Sequence, residues 1–167
     1  MSRLLNALGS ILGKEISEEV ANEFQDEVDD FKKYLSDNRF IENIPNLELE
    51  SYELKVSTPG QTLKKDFKTK IEHKKVSGVF VTHRTPTGGL MSNRNSMVGI
   101  QVDRNYVFTQ GLFHYTLLEK TEGLTIYEVA WRTDIQILTS DVHIEYKDGN
   151  TVLADPYYVY VHFICLK

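Results

Sequence analysis

The side chains in this sequence best suited to acid–base or metal chemistry are five histidines, His73, His83, His114, His143 and His162. No two of them stand at i, i+4 spacing, and none belongs to a His-x-His or Glu-x-x-His pattern, the spacings that bring metal ligands onto one face of an element. His143 and His162 fall on strands that we expect to be neighbours, but two imidazoles without a carboxylate make a poor metal site. We therefore predict no metal ligands and no cofactor.

Two of the histidines stand in His-x-Thr triplets, at residues 83–85 and 114–116. These triplets resemble the paired His-x-Ser/Thr strands of the two-histidine phosphoesterases. The resemblance implies that one of His83 and His114 acts as general base and the other as general acid on a phosphodiester, with the threonine hydroxyls holding the phosphate. Pro86 ends the first strand, however, and the histidines lie only 31 positions apart, whereas that fold has two lobes with helices between them. A small phosphodiesterase is therefore kept as an alternative function.

The other nucleophile patterns give no enzymatic site. Cys165 lies in an apolar run, where a thiol normally packs without reacting. From the single cysteine we expect neither an internal disulfide nor a cysteine-based zinc site. Gly88 and Gly89 are not followed by the Gly-Lys-Ser/Thr of a phosphate-binding loop, and the Gly-x-Ser-x-Gly pattern is absent. We predict a protein without catalytic residues.

Composition and charge set the broad class. The chain has 167 residues, of which 41% are hydrophobic, so it can bury the core of one domain with a short appendage. Its net charge of −5 argues against binding to nucleic acid, which needs a basic face. No apolar run approaches the roughly 20 residues that span a bilayer, and polar residues interrupt the leading apolar segment, unlike a secretory signal peptide. We expect no membrane partner.

Residues 1–46 differ from the rest of the chain in charge and in periodicity. They hold 5 basic and 10 acidic residues, whereas residues 47–167 hold 14 of each. Apolar residues at helical spacing predict two helices here. The first would anchor the chain in a groove of a larger assembly through Leu4, Leu5, Leu8, Ile11 and Leu12. The second would form an oligomer seam of Ala21, Phe24, Val28, Phe31 and Leu35. For both stripes, packing on the chain's own domain is the alternative.

From residue 47 onward, the pattern is that of short strands separated by turn signals about 8–12 residues apart. The predicted strands are Leu47–Val56, Thr62–His73, Val76–His83, Met97–Val102, Tyr106–Thr109, His114–Glu119, Ile126–Arg132, Ile135–Thr139, Val142–Tyr146, Thr151–Ala154 and Tyr157–Leu166. Asp148-Gly149 predicts a hairpin turn, and the last strand, apolar on both faces, is expected at the centre of a sheet. The prediction is a mainly β protein with N-terminal helices, in which residues 47–167 form an antiparallel β-sandwich or jelly roll.

Two surface segments could contact partners. Residues 64–75 carry six lysines, which we interpret as protection of an edge strand against aggregation. Residues 84–96 form a loop that is long for a compact β domain, and such loops are often functional. In this loop we predict an exposed contact site for a protein or a glycan, made of Arg84, Leu90, Met91, Asn93 and Arg94.

The order of these segments, an apolar anchor, an acidic heptad helix and a β domain, resembles the subunits of bacteriophage virion appendages such as head fibres, capsid decorations and receptor-binding proteins. The resemblance implies a homo-oligomer, with a trimer favoured, that binds a larger assembly such as a capsid. It also implies location in the virion after synthesis in the host cytoplasm. We therefore interpret the chain as a non-enzymatic structural or attachment protein. A monomeric cytosolic binding or inhibitor protein that uses loop 84–96 is a further alternative.

Overall fold

The computed structural model describes residues 24–25, 27–30, 33, 47–93, 95–108, 112–114 and 118–167. Within residues 47–167 the described chain forms ten strands and one short helix. In chain order they are β1 Leu47–Val56, β2 Thr62–Lys68, β3 Lys75–Arg84, β4 Leu90–Met91, β5 Met97–Val102, β6 Asn105–Tyr106, β7 Leu112–His114, the short helix Ile126–Val129, β8 Trp131–Gln136, β9 Asp141–Lys147 and β10 Tyr157–Leu166. Among the described residues, no helix is long and apolar enough to cross a membrane.

The strands form two five-stranded sheets that enclose the main core. The first sheet has the order β1-β10-β3-β4, with β8 also paired to β3, and the second has the order β2-β9-β5-β6, with β7 also paired to β5. The pairings between these strands are antiparallel. Because side chains alternate along a strand, one face of each sheet meets the other in a core that includes Val81, Ile144 and Phe163. The predicted mainly antiparallel β fold is confirmed, and β10 lies between β1 and β3, at the central position predicted for it.

Three predicted strands have the bounds that the structure shows, namely Leu47–Val56, Met97–Val102 and Tyr157–Leu166. Two predicted strands are wrong, because residues 151–154 form no strand and Ile126–Val129 is helical. The helix begins at a capping box, in which Glu128 Oε2 accepts hydrogen bonds from the N–H and the hydroxyl of Thr125, both at 2.7 Å. These bonds start a helical turn in residues whose apolar content suits a strand equally well.

A second hydrophobic cluster covers the outer face of the first sheet, and Phe24 and Val28 belong to it. Residues 25, 27–30 and 33 are helical. Phe24 and Val28 are buried in the same cluster as Phe80, whose ring meets that of Phe24 edge to face at a centroid distance of 5.9 Å. These two seam residues therefore contact the chain's own sheet, which is the alternative stated above for that stripe. The anchor and seam residues that lie outside the described residues are Leu4, Leu5, Leu8, Ile11, Leu12, Ala21, Phe31 and Leu35.

Candidate functional site

A groove on the outer face of the second sheet is the candidate functional site. It results from the alternation of β5 and β9, in which Val98, Val102 and Ile144 point into the core and the intervening side chains face outward. The groove has a volume of about 280 Å³. We call it the sheet-face groove, and its lining residues are Lys64, Gly99, Ile100, Gln101, Tyr106, His143 and Glu145.

One row of the groove is formed by Lys64, Glu145 and Gly99, which are in register across β2, β9 and β5. Lys64 Nζ lies 3.2 Å from Glu145 Oε2. Gly99 brings no side chain to the outer face, so the surface of this row lies close to the backbone at β5. Beside it, the side chains of the ion pair rise above the sheet. The missing side chain is what makes a depression on an otherwise pleated surface.

The next row contains a larger set of polar side chains. His143 stands in register between Asp66 and Gln101, and Tyr106 pairs with Gln101 on the far side. His143 Nδ1 lies 2.6 Å from Asp66 Oδ1, and the Tyr106 ring is 60% exposed at the end of the row. The groove thus combines imidazole, amide and charged groups with an exposed aromatic ring. A polar ligand can form hydrogen bonds to the sheet while it packs against the tyrosine.

Sequence reasoning did not find this groove, although a signal for it was present. In the segments Val98–Val102 and Val142–Tyr146, hydrophobic residues alternate with glycine, glutamine, histidine and glutamate. Alternation of this kind predicts a strand with one solvated face. It does not predict that the two solvated faces lie side by side, because that depends on the pairing of strands 40 positions apart in the sequence.

Two exposed hydrophobic side chains lie on neighbouring loops at one end of the sandwich. Ile71 is 76% exposed and Leu138 is 81% exposed. Their loops run side by side, because Thr69 N–H donates to the Ser140 carbonyl at 3.0 Å and Ser140 N–H donates to Thr69 Oγ1 at 2.8 Å. We call Ile71 and Leu138 the loop tip. A large exposed aliphatic side chain on each of two hydrogen-bonded loops suits a contact with another protein.

A series of buried polar side chains crosses the interior of the sandwich. His83 Nδ1 lies 3.0 Å from Glu119 Oε1, and the Tyr146 hydroxyl lies 3.3 Å from His83 Nε2. The hydroxyls of Tyr146 and Tyr157 are 2.8 Å apart, and Tyr157 donates a hydrogen bond to Asp148 at 2.9 Å. Burial lowers the pKa of His83 by more than the neighbouring Glu119 raises it. Burial therefore favours the neutral form of the His83 ring.

The phosphodiesterase alternative requires His83 and His114 at one open cleft. His83 lies on β3 of the first sheet and is fully buried, so its ring has no surface that a substrate could reach. His114 ends β7 in the second sheet, and its side chain lies outside the described residues. His83 does not meet the geometric condition of this alternative.

Loop 84–96 is folded back onto the first sheet. Leu90 and Met91 are half-buried in β4, which pairs with β3, while Arg84 and Asn93 are buried. The Asn93 amide donates a hydrogen bond to the Tyr157 hydroxyl at 2.7 Å, so this side chain belongs to the interior. Leu90 and Met91 are thus less exposed than predicted, because β4 pairs with β3. The partner contact predicted for this loop stays a prediction. Arg94 lies outside the described residues.

The lysine-rich segment has the position that the sequence predicts. β2 is the edge strand of the second sheet. Lys68 Nζ lies 3.4 Å from Asp141 Oδ1 and Lys75 Nζ lies 2.6 Å from Asp134 Oδ1. Exposed lysines along an edge discourage another strand from pairing there.

His143 and His162 are not neighbours, contrary to expectation, because β9 and β10 belong to different sheets. His162 is buried on the outer face of the first sheet. Its Nδ1 lies 2.8 Å from Ser51 Oγ, its Nε2 lies 2.9 Å from Thr82 Oγ1, and its ring stacks on Phe80 at 4.5 Å. With a hydroxyl at each nitrogen, the neutral ring has both of its hydrogen-bonding positions occupied.

Acidification from pH 7 to pH 5 is expected to lower the free energy of unfolding by about 2 kcal/mol through His162. Burial, and to a lesser degree the positive charge of Arg84, lower the pKa of His162 from its ordinary value of 6.5 to about 3. Below pH 6.5 the unfolded chain takes up a proton that the folded chain does not, so stability falls as the pH drops toward the folded pKa. Urea unfolding at both pH values measures the loss. His162→Gln, which cannot titrate, should lose about 2 kcal/mol less over this interval, and equal losses would contradict the prediction.

No protein-family profile and no curated protein sequence matches this chain. Several solved structures similar to it are viral capsid proteins. It is similar to VP2 of the infectious bursal disease virus subviral particle, with 10% identity and a TM-score of 0.34 over 74% of this chain. The match covers 34% of the VP2 chain, so this chain spans about a third of VP2. It is similar to the capsid of cyanophage Pam1, with 12% identity and a TM-score of 0.35 over 74% of this chain and 87% of that one. It is also similar to the NLP core of Drosophila, with 13% identity and a TM-score of 0.32 over 70% of this chain and 98% of that one. Likenesses at such low TM-scores and identities assign no function to this chain.

Proposed function

We propose that this chain is a non-enzymatic structural or attachment subunit of a virion, of the head-fibre or capsid-decoration type, built on a jelly-roll domain. The observation that carries the proposal is the strand order. One side of the core is covered by the strands β1-β10-β3-β8, and the other side by β2-β9-β5-β7. The first strand is therefore the neighbour of the last one in one sheet (β1 and β10), and the second strand is the neighbour of the last but one in the other (β2 and β9). This order supports a jelly roll, an architecture used by viral capsid and lectin domains.

The proposed subunit is a homo-oligomer, with a trimer favoured, and its assembly contact is the loop tip. Phe24 and Val28 are covered by the first sheet, which makes the helical stripe a poor candidate for the contact. Ile71 and Leu138, by contrast, are exposed and held on paired loops. Burying two large aliphatic side chains from each subunit would stabilise an oligomer by removing apolar surface from water.

The proposed attachment surface is the sheet-face groove, and its ligand class is a saccharide. Carboxylate, amide and imidazole groups at fixed spacing on a sheet suit the many hydroxyls of a sugar, and the exposed Tyr106 ring suits its apolar face. Lys64 and Glu145 carry opposite formal charges and form an ion pair, so these two charges of the groove lining cancel. That favours a neutral polar ligand over an anion.

A glycan array probed with the labelled full-length chain, together with sedimentation velocity, tests both parts of the proposal. We expect the wild type to sediment as an oligomer and to bind a subset of the glycans. Tyr106→Ala should lower the array signal about tenfold without changing the oligomeric state, because it removes only the aromatic contact. Leu138→Asp should sediment as a monomer and lose the roughly hundredfold gain that multivalent binding provides.

Two controls make the outcome specific. Val152→Asp introduces the same charge at another exposed hydrophobic side chain, 80% exposed, and should change neither result. Tyr158→Ala removes a half-buried tyrosine from the first sheet and should leave glycan binding unchanged. A wild-type chain that stays monomeric at micromolar concentration would refute the assembly part, and an array without a bound glycan would refute the attachment part.

A further inference from the structure

A second group of titratable side chains lies outside the sheet-face groove, at one end of the core. Glu48 and Glu50 lie on β1, and Cys165 lies on β10 opposite Glu48. Cys165 belongs to the main core between the sheets. His73 comes from the segment that joins β2 of the second sheet to β3 of the first. Side chains from three separate segments of the chain therefore meet here.

The His73 ring is fully buried and has a carboxylate at each nitrogen. Nδ1 lies 2.7 Å from Glu50 Oε2, and Nε2 lies 3.2 Å from Glu48 Oε2. Ligand atoms of Glu50, His73 and Cys165 all lie within 4.8 Å of one another, and these three residues are buried. Removing a carboxylate and an imidazole from water costs free energy that packing alone does not return.

From this geometry we infer that Glu50, His73 and Cys165 form a zinc site. Thiolate sulfur, imidazole nitrogen and carboxylate oxygen are the ligand atoms that Zn²⁺ takes in proteins, in four-coordinate sites that often keep one position for solvent. When Zn²⁺ binds, the thiol proton of Cys165 passes to solvent and the sulfur–zinc bond forms. The thiolate and the Glu50 carboxylate then balance the two positive charges, so the buried site is neutral.

The residues around this triad fit the role of orienting its ligands. Glu48 lies at Nε2 of His73, and a metal-bound histidine usually donates its other N–H to a carboxylate. A metal bound by both Nδ1 and Glu50 would replace the contact that these two groups make with each other. Glu48 is itself paired with Lys167. The phenol oxygen of Tyr52 is buried and lies near Glu50. It is placed to donate to a carboxylate that binds zinc through its other oxygen.

A more exposed triad of Glu48, Glu72 and His73 shares the histidine. It has no thiolate, and its oxygen-rich ligand set suits harder cations than zinc. Glu72 is exposed and the Glu48 side chain is 35% exposed, so this side of the cluster gives a cation access to the buried triad. Cys165 and Glu72 therefore distinguish the two triads, since each belongs to only one of them.

Metal binding to the full-length chain tests the inference, with zinc and cobalt ions as probes. Competition with a chromophoric chelator should give one Zn²⁺ per chain. Co²⁺ should give the ultraviolet charge-transfer band of a cobalt–thiolate bond, and because Cys165 is the single cysteine of the sequence, that band can come from no other residue. A cobalt spectrum without the band, or a stoichiometry well below one, would overturn the inference.

Variants assign the ligands. Cys165→Ser should abolish the cobalt–thiolate band and weaken zinc binding more than about 100-fold, whereas Glu48→Gln should weaken it about tenfold because it only orients His73. Glu72→Gln is the matched control and should leave zinc affinity within about twofold. If Glu72→Gln loses the zinc while Cys165→Ser keeps it, the exposed triad is the site and the inference is wrong. Should Cys165→Ser fail to fold, the wild-type cobalt spectrum still decides. None of these readouts depends on oligomerisation or on glycan binding, so the inference is independent of the proposed function.

Discussion

Replacing Asp148 with alanine is expected to lower the free energy of unfolding by about 4 kcal/mol. The carboxylate is 1% exposed and accepts hydrogen bonds from segments that are far apart in the sequence. Its Oδ1 accepts from the Tyr157 hydroxyl at 2.9 Å and from Ser96 Oγ at 3.3 Å, and its Oδ2 accepts from Gly60 N–H at 3.1 Å. Alanine would leave these donors buried without this acceptor. The hydrogen bonds that they form with water in the unfolded chain would then not be replaced on folding. Urea unfolding of the full chain at pH 7 measures the change.

The ionised state of Asp148 is part of this expectation. Burial alone would raise the pKa of Asp148, but hydrogen bonds from Asn150 N–H, the Tyr157 hydroxyl and Gly60 N–H outweigh it and lower the pKa overall. Asp148→Asn should therefore destabilise less than alanine, because the amide keeps one acceptor, yet more than a surface change, because its NH₂ faces donors. Asp155→Ala, at an exposed residue of the same β9–β10 connection, should stay within about 0.5 kcal/mol. Equal effects of Asp148→Ala and Asp155→Ala would contradict the role given to the buried carboxylate.

The strands could be predicted where one physical pattern dominated the local sequence. β10 is apolar on both faces because it has a neighbour on each side and a hydrophobic cluster on each face, and its bounds were predicted correctly. β5 was predicted with its correct bounds as a short strand next to a turn signal. At Ile126–Val129 two patterns competed, and the hydrogen bonds between Thr125 and Glu128 favoured the helix. A Thr-x-x-Glu box ahead of a short apolar run is a signal that could have corrected that prediction.

The N-terminal stripe illustrates a different limit. Phe24 and Val28 lie at the spacing of a heptad seam, and that spacing fixes which side of a helix is apolar. It carries no information about what covers that side. In the structure the cover includes Phe80 of the first sheet, more than 50 residues later in the chain. An amphipathic helix therefore predicts a contact without predicting whether it is within the chain or between chains.

The candidate site was less predictable than the fold, because it depends on long-range register. That Gln101 and His143 face the solvent could be predicted from alternation, but not that they are directly opposite each other. The length of loop 84–96 predicts a partner contact, whereas Asn93 is held inside by Tyr157, which lies 64 positions later in the sequence. Polar residues in a long loop are thus compatible both with a surface contact and with an interior network.

A glycine is required at position 149, but for a different reason from the one that the sequence indicates. The dipeptide Asp148-Gly149 predicts a two-residue hairpin turn, a type that needs positive φ. Gly149 has no positive φ, in contrast to Gly60, Gly88 and Gly123. A Cβ added to Gly149 would lie 1.6 Å from the carbonyl oxygen of Asn95, so this glycine is required by the close approach of two backbones. The same approach lets Gly149 N–H donate to Ser96 Oγ at 3.1 Å.

Gly149→Ala is therefore expected to lower the free energy of unfolding by about 3 kcal/mol, the upper end of the cost of overpacking. The clash is with backbone atoms, which cannot rotate away as a flexible side chain can, so relief requires separating the β9–β10 connection from residues 95–96 and lengthening the hydrogen bond to Ser96. Gly89→Ala is the matched control, since its added methyl meets only Thr85 Oγ1 at 3.4 Å and its φ is not positive. It should change the free energy of unfolding by less than about 0.5 kcal/mol.

Urea unfolding of a further variant, Gly149→Asn, distinguishes a left-handed turn from a close backbone approach as the reason for the glycine. If a left-handed turn were the reason, Gly149→Asn would restore most of the stability lost by Gly149→Ala, because asparagine tolerates positive φ. If the close approach is the reason, as the structure indicates, the larger side chain will be no better tolerated than alanine.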